Sequence, residues 1–184
     1  MKTKRIVVTG GPGTGKTSVI KYLEAANFYC YHEVIRDMTK NAMEKENITN
    51  YETNPLLFVS DPDKFNKKIL NGRIQQFKDG DIKTENIVFY DRGIPDVLAY
   101  MDFFKQDYAD EFMNACTNYV YDQVFIFPPW EEIYVSDNER SESFEEATQI
   151  HQNLLHTYQK YGYNCLEVPF GNIEERANFI IKNI

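Results

Sequence analysis

Arg5-Ile6-Val7-Val8-Thr9-Gly10-Gly11-Pro12-Gly13-Thr14-Gly15-Lys16-Thr17 runs an apolar strand into a glycine-rich turn that ends on a Lys-Thr pair. Gly10, Gly15, Lys16 and Thr17 fit G-x-x-x-x-G-K-[ST]. In that pattern backbone N–H groups wrap a phosphate chain, the ammonium reaches the outer phosphates and the hydroxyl serves Mg²⁺. The phosphate-binding set read from the sequence is therefore Gly10, Gly11, Pro12, Gly13, Thr14, Gly15, Lys16, Thr17 and Ser18. A side chain at Gly13 or Gly15 would obstruct close backbone approach or the positive φ angles of the turn. The helix that follows, Lys16 to Ala26, aims its N-terminus at the anion. A glycine-rich turn holding nothing is the alternative, and it leaves the coincidence of strand, pattern and helix unexplained.

Further along, apolar runs at Arg5 to Thr9, Phe28 to His32, Asn86 to Tyr90, Gln123 to Phe127 and Asn164 to Val168 read as buried strands with helical patterns between them. They predict an α/β domain built on a doubly wound, mostly parallel five-stranded sheet, with ligands at the carboxyl ends of the strands. Helices are expected near Val34 to Glu46 and Asp63 to Phe77. A later helix carries Phe144, Ala147, Leu154, Tyr158 and Tyr161 on one face, and the last starts at an Asn172 N-cap. That last helix turns Ile173, Ala177, Ile180 and Ile181 to the sheet, a face read as packing only. The polar stretch at about 129–143 reads as a lid, and 1–184 as one domain.

Polar residues at the strand ends suggest chemistry. Asp91 and Arg92 follow the third strand directly, where a carboxylate can hold Mg²⁺ and a guanidinium can neutralise a transferring phosphoryl group. A strand-end Asp can also be a simple turn residue; the phosphate loop favours the functional reading. After the second strand, Glu33 can accept a proton from an attacking hydroxyl and Arg36 can hold an anionic part of that substrate. The pair can equally be a helix-start acid with a surface partner. Arg140 is the cation of the lid segment, able to reach the phosphates on closure or to remain a solvated loop residue. Lys67, Lys68 and Arg73 read as a solvated helix face; Trp130, Tyr134, Phe103 and Phe104 could stack on a base or acceptor ring, with core packing as the default for each.

The net charge of −8 argues against general nucleic-acid or anionic-membrane binding, so positive charge must be local. Cys30, Cys116 and Cys165 are odd in number and lack C-x-x-C spacing, which points to buried reduced thiols and a cytoplasmic setting. His32, His151 and His156 lack metal-ligand spacing. No stretch approaches the roughly 18 apolar residues of a membrane span, and the phosphate loop occupies the place of a signal peptide.

Taken with Glu33-Val34-Ile35-Arg36, Tyr90-Asp91-Arg92-Gly93-Ile94-Pro95-Asp96 and Asp137-Asn138-Glu139-Arg140, the phosphate loop resembles the NadR-like P-loop domain family over nearly the whole chain. That family carries an AAA-type ATPase label and includes the ribosylnicotinamide kinase domain. The resemblance implies ATP binding and phosphoryl transfer on a P-loop kinase-like fold; no adenylyltransferase or DNA-binding module is read beside it, so the multifunctional regulatory role of NadR is not expected. The layout is also similar to deoxynucleoside kinases, although Asp91-Arg92-Gly93 stands where those have Glu-Arg-Ser. Two functions follow: a Mg-ATP-dependent kinase for a small hydroxyl-bearing acceptor such as a nucleoside or nucleotide, or an NTP-hydrolysing regulatory switch or binding module. Asn-Lys-x-Asp and Asp-x-x-Gly of Ras-like GTPases are both missing, and Asp91 is followed by Arg92 rather than the Glu of a mechanical AAA+ ATPase.

Overall fold

A computed structural model describes residues 3–35, 61–134 and 143–184. Five strands, β1 (Lys4–Gly10), β2 (Tyr29–Tyr31), β3 (Ile87–Asp91), β4 (Gln123–Phe127) and β5 (Cys165–Glu167), form one sheet in the order β2-β3-β1-β4-β5. Every pairing is parallel, so the expected mostly parallel sheet is wholly parallel. The α-helices whose full span is described are α1 (Lys16–Ala25), α2 (Pro62–Asp79), α3 (Pro95–Phe103), α4 (Asp110–Asn118), α5 (Phe144–Lys160) and α6 (Ile173–Lys182).

Side chains alternate across a strand, and the core splits accordingly. Val7, Val88, Tyr90, Val124 and Ile126 face one layer with Leu70 of α2, Leu98 of α3, Phe112 of α4 and Leu154 of α5. Ile6, Val8, Phe89, Phe125 and Phe127 face the other with Val19 and Leu23 of α1 and Ala177 and Ile180 of α6. Helices thus cover both faces, which explains why β1 shows an unbroken apolar run instead of alternation. Register brings Val8 of β1 beside Asp91 of β3 and Gly10 beside Phe127 of β4, so the phosphate loop and the Asp91-Arg92 pair leave the sheet at one rim.

Local signals fix the helix starts. Asp61 accepts from the Lys64 N–H at 3.0 Å ahead of Pro62, and Ser143 and Asn172 close capping boxes with Glu146 and Glu175. Three expectations shift. Strands β2 and β5 are shorter than read, because both lie at sheet edges with pairing on one side only. Ile173 is 47% exposed, since it occupies the first position of α6 and the sheet-facing stripe begins at Arg176 and Ala177. Phe104, read as core, is exposed just beyond the end of α3. The three cysteines are free, with Cys165 only half-buried; burial pushes each thiol up to about 12, so none is a poised nucleophile. Among the described residues no helix is long and apolar enough to cross a membrane.

Candidate active site

The loop after β1 has the backbone its glycines permit. Gly13 and Gly15 have φ of 71° and 80°, and a Cβ at Gly13 would lie 2.6 Å from the Tyr134 ring. Tyr134 therefore packs on the loop and against Phe144 instead of entering the core. Lys16 opens α1 with its side chain folded over the loop, donating to the Gly11 carbonyl at 2.6 Å and to Thr14 Oγ1 at 3.2 Å. Burial, reinforced by the nearby Arg92 guanidinium, lowers its pKa to about 7 even though Asp91, Glu33 and Asp96 pull the other way.

Arg92 joins three strand ends. Its φ of 74° places a non-glycine residue in the left-handed region at the exit of β3, a conformation that costs energy and concentrates at functional sites. Its backbone N–H donates to Val8 O at 3.0 Å. From that turn, Nε meets Glu33 Oε1 at 2.8 Å, and Nη1 lies 3.2 Å from both the Gly10 carbonyl and Asp96 Oδ1. The Tyr100 ring lies under the guanidinium, 5.1 Å from centroid to Cζ. Burial by itself would push the Glu33 carboxyl up, but Arg92, Arg73 and Lys16 outweigh it and hold Glu33 below the usual carboxylate range. Asp91, 3% exposed at the end of β3, adds its charge to the same cluster.

The expectation of a solvated face does not hold for Arg73. It is 3% exposed, donates to Gly93 O at 2.7 Å and approaches Glu33 at 3.7 Å. Lys67 and Lys68 do face solvent, Lys67 pairing with Asp63 and Glu111. The signal was available: Asn66, Ile69, Leu70 and Arg73 follow helical spacing, so Arg73 lies on the buried stripe of α2.

Asp96 organises this cluster from a position of complete burial. It accepts from Thr9 Oγ1 and Tyr158 Oη at 2.5 Å each and from the Gly93 N–H at 2.9 Å, besides its pairing with Arg92. Burial again opposes its ionisation, and Arg73, Arg92 and these hydroxyls overcome the penalty and hold its pKa low. Its role has no local sequence signal, because Tyr158 is distant in sequence and Thr9 lies near the end of an apolar strand.

On the outer side of the loop, a cavity of about 710 Å³ is lined by Gly15, Ser18, Tyr22, Trp130, Gly171 and Arg176, among others. Trp130 is half-buried and stacks on exposed Phe170 with ring centroids 5.0 Å apart, so it belongs to this cavity and not to the core. Arg176 of α6 donates to the Thr14 carbonyl at 2.9 Å, so a face of α6 read as packing reaches the phosphate loop. Arg36, Arg140 and positions 135–142 of the lid lie outside the described residues.

The Lys16 environment has a measurable consequence. A cation with a folded pKa near 7 is partly deprotonated at neutral pH, and an anionic ligand at the loop favours the protonated form. Phosphate binding should then take up a proton. Nucleotide affinity should fall as pH rises above 7, approaching about tenfold per pH unit for one linked proton. Calorimetry in buffers of different ionisation enthalpy reads the uptake directly, and a pH-independent affinity between pH 7 and 9 would contradict it. Folding stability carries the opposite sign: the unfolded lysine holds its proton up to its ordinary pKa of 10.5, so this group adds stability as pH rises from about 7 toward that value.

A family model described as an AAA domain matches residues 5–176. No curated protein matches the sequence significantly. Among solved structures, a NadR protein in complex with NR superposes with a TM-score of 0.72 at 18% identity, covering 98% of this chain and 51% of NadR. The chain therefore spans about half the length of that protein. Deoxyadenosine kinase from M. mycoides gives a TM-score of 0.65 at 14% identity with 97% of each chain covered. Thymidylate kinase from Ehrlichia chaffeensis gives 0.62 at 16%, covering 100% of this chain and 98% of that one. These likenesses establish a P-loop kinase-like fold. With its phosphate loop, its parallel 2-3-1-4-5 sheet and a family match over most of its length, the chain belongs to the AAA domain family.

Proposed function

We propose that this chain is an ATP-dependent kinase that transfers the γ-phosphoryl group to a hydroxyl of a small metabolite such as a nucleoside or nucleotide. The observation that carries the reading is the convergence of Lys16, Glu33, Asp91 and Arg92 from three strand ends into one electrostatically coupled cluster. Phosphoryl transfer depends mostly on positioning and on neutralising charge, and this rim supplies both. In this reading 1–184 acts as one nucleotide-binding domain in the cytoplasm, and 129–143 is its lid.

The loop N–H groups of Gly11 and of Gly13 to Ser18, with the Lys16 ammonium, hold the phosphate chain, and the cavity beside Ser18 and Trp130 has room for base and sugar. Mg²⁺ would be held by Thr17 and Asp91, hard oxygen donors suited to an ion carried largely by substrate phosphates, where it offsets their negative charge. No group of three or more His, Cys, Asp or Glu forms a self-sufficient metal site among the described residues. Arg92, fixed by Asp96 and Glu33, presents charge to the transferring group, with Arg140 joining it from the lid. Glu33, ionised at neutral pH, orients the acceptor hydroxyl and receives its proton, and Arg36 binds an anionic part of the acceptor.

A panel of nucleosides, nucleotides and vitamin precursors, followed by ADP release, tests the reaction. Acceptor-dependent release and a phosphorylated product support it; ATP hydrolysis indifferent to every acceptor would replace it with an NTP-driven switch. Glu33→Gln should lower transfer by about 10²-fold and leave ATP affinity in place. The effect belongs at the low end for general-base catalysis because a carboxylate held below its usual range is a weak proton acceptor. Unchanged transfer would remove Glu33 from the acceptor side.

A further inference from the structure

Four arginines are buried among the described residues: Arg5, Arg73, Arg92 and Arg176. Three are met by carboxylates, Arg5 by Asp81, Arg73 by Glu33, and Arg92 by Glu33 and Asp96. Arg176 is 3% exposed and has no carboxylate partner among the described residues. Its neighbours are the Phe127 and Trp130 rings, 4.3 and 5.5 Å from its Cζ, and the Thr14 carbonyl. Its Nε is buried without a hydrogen-bond partner, as it is in Arg5 and Arg73, so what sets Arg176 apart is the missing carboxylate. Desolvation, with nothing opposing it, lowers its pKa to about 10, so the residue remains charged at neutral pH.

Keeping an uncompensated cation out of water is costly, and a hydrophobic residue of similar volume would fill the same space at less expense. The placement accounts for that cost. Arg176 lies between the cavity and the phosphate loop, and a Cβ at Gly15 would come within 2.8 Å of its Nη1. Anything anionic that enters the Thr14–Gly15 turn from the cavity meets this guanidinium.

We infer that Arg176 is a nucleotide-binding residue contributed by the last helix, whose missing counter-charge is the phosphate chain of a nucleoside di- or triphosphate. It differs from the loop in what it reads. The amides and Lys16 surround the outer phosphates, whereas Arg176 acts at the end of the chain nearest the cavity and also braces the turn through Thr14. The inference rests on a nucleotide occupying the loop and not on the transfer reaction.

Calorimetry with ADP, ATP and adenosine on the full chain tests it. Arg176→Met should weaken ADP and ATP by about tenfold to a hundredfold, the scale of a hydrogen bond or contact to a charged group. It should shift adenosine less than about threefold, and the melting temperature without nucleotide should hold or rise because a buried charge is gone. Arg176→Gln retains a donor for the Thr14 carbonyl without the charge, and should lose nucleotide affinity as Arg176→Met does. Arg176→Lys should recover part of the loss. Parent-like ATP affinity in Arg176→Gln would show that the residue only braces the turn, and an equal loss for adenosine and ADP would show that it stacks on the base; either overturns the inference. A parent chain that binds no nucleotide would overturn the nucleotide reading as well, whereas nucleotide binding without phosphoryl transfer removes only the kinase reading.

Discussion

Arg92→Met is expected to lower both stability and turnover, because one guanidinium holds the carboxylates of Glu33 and Asp96 and, in the proposed reaction, faces the transferring phosphoryl group. Removing one partner of a buried ion pair costs about 3–5 kcal/mol, and here Glu33 and Asp96 would keep only the Arg73 guanidinium nearby. For a chain of this size that corresponds to a melting temperature lower by roughly 6–20 °C. Turnover should fall by about 10³-fold or more, the scale of an arginine acting on a transferring phosphoryl group.

The pH dependence separates these effects from a generic packing defect. In the parent, Glu33 and Asp96 are held below their ordinary range, so their contribution is fully present above the carboxylate pKa of the unfolded chain and is lost as pH falls through the depressed folded values. In Arg92→Met burial acts with weaker opposition and raises both carboxyls. The variant's deficit should therefore narrow as pH drops from neutral toward 5. Thermal melts showing an equal deficit at both pH values would mean that the guanidinium contributes volume and not charge.

Lys16→Ala should be the converse case, with a large functional loss at little structural cost. The ammonium is buried with its pKa depressed to about 7, so the fold gains little from its charge and melting should hold or rise. ATP turnover should fall by about 10³-fold through loss of a preorganised cation at the phosphate chain. The proton uptake on binding should disappear with it. A variant that binds ATP and turns over like the parent would end the assignment of this loop; one that unfolds would show that the contacts to Gly11 and Thr14 hold the turn.

Local chemistry made part of this protein legible in one dimension. The phosphate loop could be read because strand, glycines, Lys16 and Thr17 act within one contiguous stretch whose backbone demands are set locally. Gly13 and Gly15 take the positive φ that the turn requires, and Asn172 caps its helix, for the same reason. Apolar runs located five strands because buried parallel strands must be apolar on both faces. Glu33, Asp91 and Arg92 stood out because residues leaving the carboxyl ends of such strands meet at one rim.

Which side chains bear on one another was decided only by tertiary structure. Arg73 looked solvated among polar neighbours, yet the packing of α2 turns it onto Gly93 and Glu33. Asp96 draws its partners from Thr9 and Tyr158, 87 and 62 residues away. Arg176 reaches Thr14 across 162 residues because α1 and α6 pack on the same face of the sheet. The physical reason is that a charge's partner, and with it the pKa values and the standing of a buried cation as compensated or bare, is set by distance in space and by desolvation, while helical or strand periodicity reports only which face of an element is buried.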